Sequence, residues 1–209
     1  MIIKLFILNA IQTNTWVITD EESRDTIIID LGGDYGKVFE YIREINGKLK
    51  YILCTHGHFD HVMGISEMQK DGKDIPVYIN EKDEELATEK LNPMLKMFGF
   101  GGNYEKIKIS GCLNEKTELK IGNKPVNIIE TPGHTKGGVC IKIDNNLFSG
   151  DTLFRREIGR CDLEGGDYNA LINSLKTKLS NLSDDTIVYP GHDATTTIGE
   201  EKKYNRYFR

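Results

Sequence analysis

The chain has 209 residues, 38% of them hydrophobic and 28% charged, with a formal net charge of −5. That length and balance fit a soluble globular domain with a proper core, not a disordered chain. The acidic balance gives no electrostatic basis for nucleic-acid binding, which draws on lysine and arginine, and no segment approaches the apolar length of a membrane span.

Residues 2–8, 15–19 and 26–30 are rich in Ile, Val and Thr and predict three strands. The first run leads straight into Gln12-Thr13-Asn14 with no small-residue cleavage site, so it reads as a buried strand and not a signal peptide. Asp20-Glu21-Glu22-Ser23 predicts a hairpin loop. Val38, Phe39, Ile42 and Ile45 then share one face of a helix, with Gly47 as its stop. A strand is predicted over 49–54, a helix over 62–70, a short strand over 77–79 and a charged, exposed helix over 81–91. Residues 92–104 read as a helix followed by a glycine-broken loop. Strands at 118–121, 126–130, 139–143 and 146–149 precede a helix capped by Asp167, with Leu171, Ile172, Leu175 and Leu179 inward. A last strand at 186–189 and a helix at 199–204 complete the pattern. Strands followed by helices, twice over, predict two sheets with helices outside, in one domain spanning 1–209. The four cysteines, Cys54, Cys112, Cys140 and Cys161, fit no C-x-x-C spacing, which predicts reduced thiols and a cytoplasmic location.

The chemistry concentrates in Thr55-His56-Gly57-His58-Phe59-Asp60-His61, where four potential ligands occupy six positions. Imidazole with carboxylate favours Zn, Fe or Mn over Ca or Mg. Directly after a strand, His56 and His58 turn to the same side, as alternate residues do, and Asp60 and His61 begin the following turn. Three further candidates also follow strands: Pro132-Gly133-His134, Gly150-Asp151 and Pro190-Gly191-His192. Each is directly preceded by a glycine, which permits a sharp turn and close backbone approach. All five histidines of the chain are in this set, leaving none for ordinary core or surface duty. Asp151 alone would be only a turn residue; it gains force from the others.

These residues resemble the metallo-β-lactamase superfamily across most of the chain. The resemblance implies a four-layer αββα sandwich of the α+β class. It places His56, His58 and His134 at a first metal site and Asp60, His61 and His192 at a second, with Asp151 as bridging carboxylate. True zinc β-lactamases lack a bridging Asp there, and flavodiiron proteins carry Glu at the position of His58. The run Gly150-Asp151-Thr152-Leu153-Phe154-Arg155-Arg156-Glu157-Ile158-Gly159-Arg160 and the later Pro190-Gly191-His192-Asp193 look like the short glyoxalase II-like group. Full glyoxalase II has a C-terminal helical extension that supplies much of the glutathione pocket. This sequence ends at Arg209, so hydrolysis is implied but glutathione recognition is not.

The implied activity is hydrolysis of a small thioester or ester by a hydroxide bridging two divalent ions, with Zn first and Fe or Mn as alternatives. Asp60 is assigned to metal binding and to orienting the nucleophile. The alternative is a persulfide dioxygenase of the same fold, using one iron at the first site. A nuclease of the superfamily is disfavoured by the acidic balance. Arg160 and Lys136 are candidates for substrate orientation, against the plainer readings of a loop ion pair and a surface lysine. Met94, Phe98 and Phe100 are candidates for an apolar lid, and Asn14 and Asp30 for groups supporting the ligands. No nucleic-acid or membrane partner is expected; oligomeric state is not specified.

Overall fold

Ile27 and Ile29 pack toward one side of their strand and Ile28 toward the other, and all three are buried. The same division separates Trp16 and Ile18 from Val17, and Tyr51 and Leu53 from Ile52. A strand whose alternate residues are both apolar is covered on both faces, so each sheet lies between two layers. The computed structural model describes residues 1–99 and 104–208.

In chain order the strands and helices are β1 (Ile2–Leu8), β2 (Thr13–Thr19), β3 (Asp25–Ile29), α1 (Tyr35–Glu44), β4 (Lys48–Leu53), α2 (Phe59–Lys70), β5 (Val77–Ile79), α3 (Glu84–Thr88), α4 (Leu91–Met97) and β6 (Gly111–Cys112). Then come β7 (Leu119–Ile121), β8 (Lys124–Glu130), β9 (Val139–Ile143), β10 (Asn146–Gly150), β11 (Leu153–Phe154), β12 (Glu157–Ile158), α5 (Tyr168–Thr177), β13 (Ile187–Pro190), β14 (Thr196–Thr197) and α6 (Ile198–Tyr204). One sheet has the order β1-β2-β3-β4-β5-β6 and the other β14-β13-β10-β9-β8-β7, with β11 and β12 forming a small ribbon.

The core divides accordingly. Val38, Ile42, Val62, Ile65 and Met68 fill the space between the first sheet and α1 and α2. Trp16, Ile27, Leu53, Ile128, Ile141 and Phe148 join the two sheets. Leu147, Leu171, Leu175, Val188 and Ile198 lie between the second sheet and α5 and α6. This is the expected αββα sandwich. The expected hairpin loop is closed by Asp20, whose Oδ2 accepts from the Ser23 amide and hydroxyl at 2.9 Å each. Asp167 caps α5 by accepting from Ala170 N at 3.0 Å.

Several boundaries differ from expectation. The left-handed residue after α1 is Asn46 (φ 53°), not Gly47. The helix expected over 81–91 is divided: Asn80 caps a single 3-10 turn at Glu81–Asp83, and α3 and α4 follow. Most consequential, α2 starts at Phe59, so Asp60 and His61 stand in its first turn, not in a loop before it. No helix among the described residues is long and apolar enough to cross a membrane.

Candidate metal centre

The strands deliver the candidate ligands from both sheets. His56 and His58 follow β4 in the first sheet. His134, Asp151 and His192 follow β8, β10 and β13 in the second. The two sheets thus meet at one edge, where the carboxyl ends of β4, β8, β10 and β13 converge.

All seven predicted ligands are brought together. Three trios have ligand atoms within 4.8 Å of one another: His56, His58 and His134; Asp60, His61 and His192; and His56, His61 and Asp151. Asp151 spans the other two trios, with Oδ1 3.3 Å from His61 Nε2 and Oδ2 3.6 Å from both His134 Nε2 and His192 Nε2. A tetrahedral ion with bonds of about 2.0–2.1 Å holds its ligand atoms about 3.3 Å apart. His61 Nε2 and His192 Nε2 lie 3.3 and 3.2 Å from Asp60 Oδ2, and His58 Nδ1 lies 2.8 Å from His134 Nε2.

Outer hydrogen bonds fix which nitrogen faces the centre. A carboxylate only accepts, so His61 Nδ1–H donates to Asp30 Oδ2 at 2.8 Å. Thr55 donates its hydroxyl to the same oxygen at 2.7 Å and is left to accept from His56 Nδ1–H at 3.1 Å. His134 Nδ1–H donates to the Arg160 carbonyl at 2.7 Å. The Nε2 atoms of His56, His61 and His134 are therefore the ones directed inward. His56 Nε2, His61 Nε2 and Asp151 Oδ1 are buried without a hydrogen-bond partner. Buried imidazole nitrogens and carboxylate oxygens crowded this closely are costly unless positive charge, as protons or a metal ion, lies among them, and the donor set suits a divalent transition metal. The residues present fit such ions.

Electrostatics point the same way. Burial pushes the imidazoles of His56 and His58 down, that of His58 to about 3. Burial also opposes a proton on His61, but Asp60, Asp151 and Asp30 outweigh it and raise its pKa well above the usual value. His192 is raised against burial by Asp60 and Asp151. Burial acts to raise the Asp60 and Asp151 carboxyls, yet the surrounding imidazoles reverse it and hold both low, Asp60 well below its ordinary value. The second trio thus attracts positive charge.

Gly191 makes room for the cluster: a Cβ there would meet Asp151 Oδ1 at 2.3 Å and His61 Cε1 at 2.7 Å. Strand β2 braces the site from the first sheet. Asn14 Nδ2 donates to the Pro190 and Asp193 carbonyls at 3.0 and 2.9 Å, and Thr13 Oγ1 donates to Asp60 Oδ2 at 2.8 Å. Asn14 and Asp30 were readable as candidates; Thr13 was not singled out. Asp83 was also missed. It is buried, and it accepts from Gly57 N (3.1 Å), Thr135 Oγ1 (2.6 Å) and Gly137 N (2.7 Å), locking the His56–His58 loop to the His134 loop.

The cluster forms the floor of a cavity of about 310 Å³. Met94, Phe98 and Arg160 line it, and Phe98 packs on Phe59 with ring centroids 5.4 Å apart. Phe100 lies outside the described residues. Arg160 also makes the loop ion pair with Asp162, through Nε and Nη2 at 2.7 and 2.8 Å. Lys136 lines a separate depression with Lys82, Asp83 and Lys90 and is not part of the cavity wall.

The family model described as the metallo-beta-lactamase superfamily matches residues 8–192. A Haemophilus influenzae protein named hydroxyacylglutathione hydrolase GloC is 35% identical over 210 residues, covering 99% of this chain and 98% of that one. Among solved structures, the BLEG-1 B3 metallo-beta-lactamase is 33% identical with a TM-score of 0.89, covering 99% of both chains. TTHA1623 in a di-iron-bound form is 30% identical with a TM-score of 0.86, covering 98% of this chain and 99% of that one. Matched over most of its length in sequence and in fold, and with a histidine–aspartate cluster suited to divalent metal at the meeting edge of its sheets, the chain belongs to the metallo-β-lactamase superfamily.

Proposed function

We propose that this protein is a dinuclear metal-dependent hydrolase of small thioesters or esters. His56, His58 and His134 would hold one ion, Asp60, His61 and His192 the other, and Asp151 would face both. When bound, divalent ions supply Lewis acidity and bring the pKa of a water molecule down from ~15.7 toward ~7, so that hydroxide is available at neutral pH.

The observation that carries the reading is the chemistry of the cavity wall, whose described residues include no protein acid outside the cluster. Among the described residues lining it, the ionisable groups are His58, Asp60, His134, Asp151 and His192, which belong to the cluster, and Arg160, which cannot release a proton. Attack on a carbonyl then suits a leaving group that departs without being protonated first. A thiolate, with a parent pKa of about 8.5, meets that condition and an amide nitrogen does not. Asp60, held ionised and fixed by Thr13, orients the attacking water from the floor. Phe59, Met94 and Phe98 keep bulk water from the reacting carbonyl.

The name of the GloC relative supports the thioester reading. The second trio is as fully assembled as the first, with Thr13 on Asp60 and Asp30 on His61, and a two-ion hydrolase would use both trios. The test is thiol release from a thioester panel, with a β-lactam and a persulfide as controls, on protein of known metal content. Metal-dependent thioester cleavage that falls by about a hundredfold or more in His58→Ala is expected. Unchanged turnover in that variant, or oxygen uptake on the persulfide with one bound iron, overturns the proposal.

A further inference from the structure

Above its ionic floor the cavity is walled by Ile11, Phe59, Met94, Phe98, Phe154 and Leu163. The apolar character extends past the rim. Ile7, 60% exposed, and Ile11, 37% exposed, continue into a groove beside β1 that shares Ile11 and His192 with the cavity. On the other side Met97 and Phe98 are 67% and 38% exposed. Large apolar side chains grouped around a site mark a ligand-contact area.

The cationic side chain among the described wall residues is Arg160, and it is already engaged. Its Nε and Nη2 reach the two carboxylate oxygens of Asp162 in a forked, two-bond pair. Asp162 takes two of its five N–H donors and balances its charge, so a substrate carboxylate entering here meets a compensated guanidinium beside an apolar wall.

We propose that this wall selects a thioester or ester whose non-reacting part is uncharged and apolar, and discriminates against a charged peptide thiol such as glutathione. The inference rests on the hydrolase reading for its reacting bond, but the wall's preference is measurable without turnover. Leu163 and Phe98 act as specificity residues through apolar contact, and Asp162 acts by compensating the charge of Arg160.

The test is calorimetric binding of two uncleavable thioethers, S-hexyl-N-acetylcysteamine and S-hexylglutathione, to the metal-loaded protein. The uncharged ligand is expected to bind about tenfold or more tightly. Its affinity is expected to rise about two- to fourfold for each methylene added from S-methyl to S-hexyl. Asp162→Ala, which releases Arg160, is expected to strengthen S-hexylglutathione binding severalfold and leave the uncharged ligand unchanged. Equal or tighter binding of S-hexylglutathione by the wild-type protein overturns the proposal. So does failure of the uncharged ligand to bind below about 10 mM. Hydrolysis of the two matching S-hexanoyl thioesters is scored separately. If the uncharged thioether is preferred and neither thioester is cleaved, the hydrolase reading falls and the wall assignment stands. If both are cleaved and the glutathione compound is preferred in binding, the wall assignment falls and hydrolysis stands.

Discussion

Asp30 accepts the outer N–H of His61 at 2.8 Å, with both side chains essentially shut off from solvent. Asp30 has a left-handed backbone (φ 54°), and its other oxygen takes the Thr55 amide at 2.7 Å. One carboxylate thereby orients His61 directly and His56 through the Thr55 hydroxyl. Partners of this kind typically contribute ten- to hundredfold in metal affinity. Asp30→Ala is expected to weaken metal binding by about that factor, read by competition with a chromophoric chelator. Unaltered affinity would mean that the imidazoles hold their orientation without it.

Asp83 predicts a different pattern, because it ties loops and touches no candidate ligand side chain. Asp83→Ala leaves the Gly57 and Gly137 amides and the Thr135 hydroxyl without their acceptor. The expected cost is about 2–4 kcal/mol in denaturant unfolding. Binding at the trio of His56, His58 and His134 is expected to weaken more than at the other trio, because both of its loops lose their tie. Asp83→Asn, which keeps one acceptor oxygen, is expected to fall between. Equal weakening at both trios in the alanine variant would reduce Asp83 to a general stabiliser.

The two trios are expected to differ in pH response. His56 and His58 are depressed, so in the metal-free protein they are already neutral near pH 7 and give up no proton to an ion. His61 and His192 are raised, so they keep protons to higher pH, and an ion must displace them. Affinity at the second trio therefore rises with pH through neutrality, and affinity at the first is comparatively flat. Calorimetry in buffers of different ionisation enthalpy is expected to show proton release with the pH-dependent binding event. Equal proton release with both events would contradict this division.

Removing metal is expected to cost stability. An ion at about a hundred times its Kd stabilises by ~2.7 kcal/mol, and in a chain of this size each kcal/mol moves Tm by about 2–4 °C. Adding a chelator to the loaded protein is expected to lower Tm by about 5–10 °C, reversibly on adding metal back. An unchanged Tm would show that the buried lone pairs are satisfied without an ion.

Much of this arrangement is legible in the sequence because its signals are local. The His-x-His-x-Asp-His run and the Gly-His and Gly-Asp turns each announce themselves within a few residues, and alternating apolar positions such as Ile27, Ile28 and Ile29 reveal strands covered on both faces. The supporting groups are harder to read because their partners are distant. Asp83 sits in a charged stretch that looks like a solvated helix face, and its partners lie 26, 52 and 54 positions away. Thr13 reaches Asp60 across 47 positions. The start of α2 is hidden because His58 occupies the N-cap without a side-chain capping bond, so the usual Ser, Thr or Asp signal is missing. Strands β11, β12 and β14 are two residues each, too short for periodicity to register.

The most direct measurement is a titration of metal-free protein with Zn, Fe or Mn, following bound metal per chain and thioester turnover together. Two ions per chain are predicted, with turnover appearing only as the sites fill and lost in His58→Ala. Full turnover by the metal-free protein, or a cluster that binds no ion at any pH, would contradict the account.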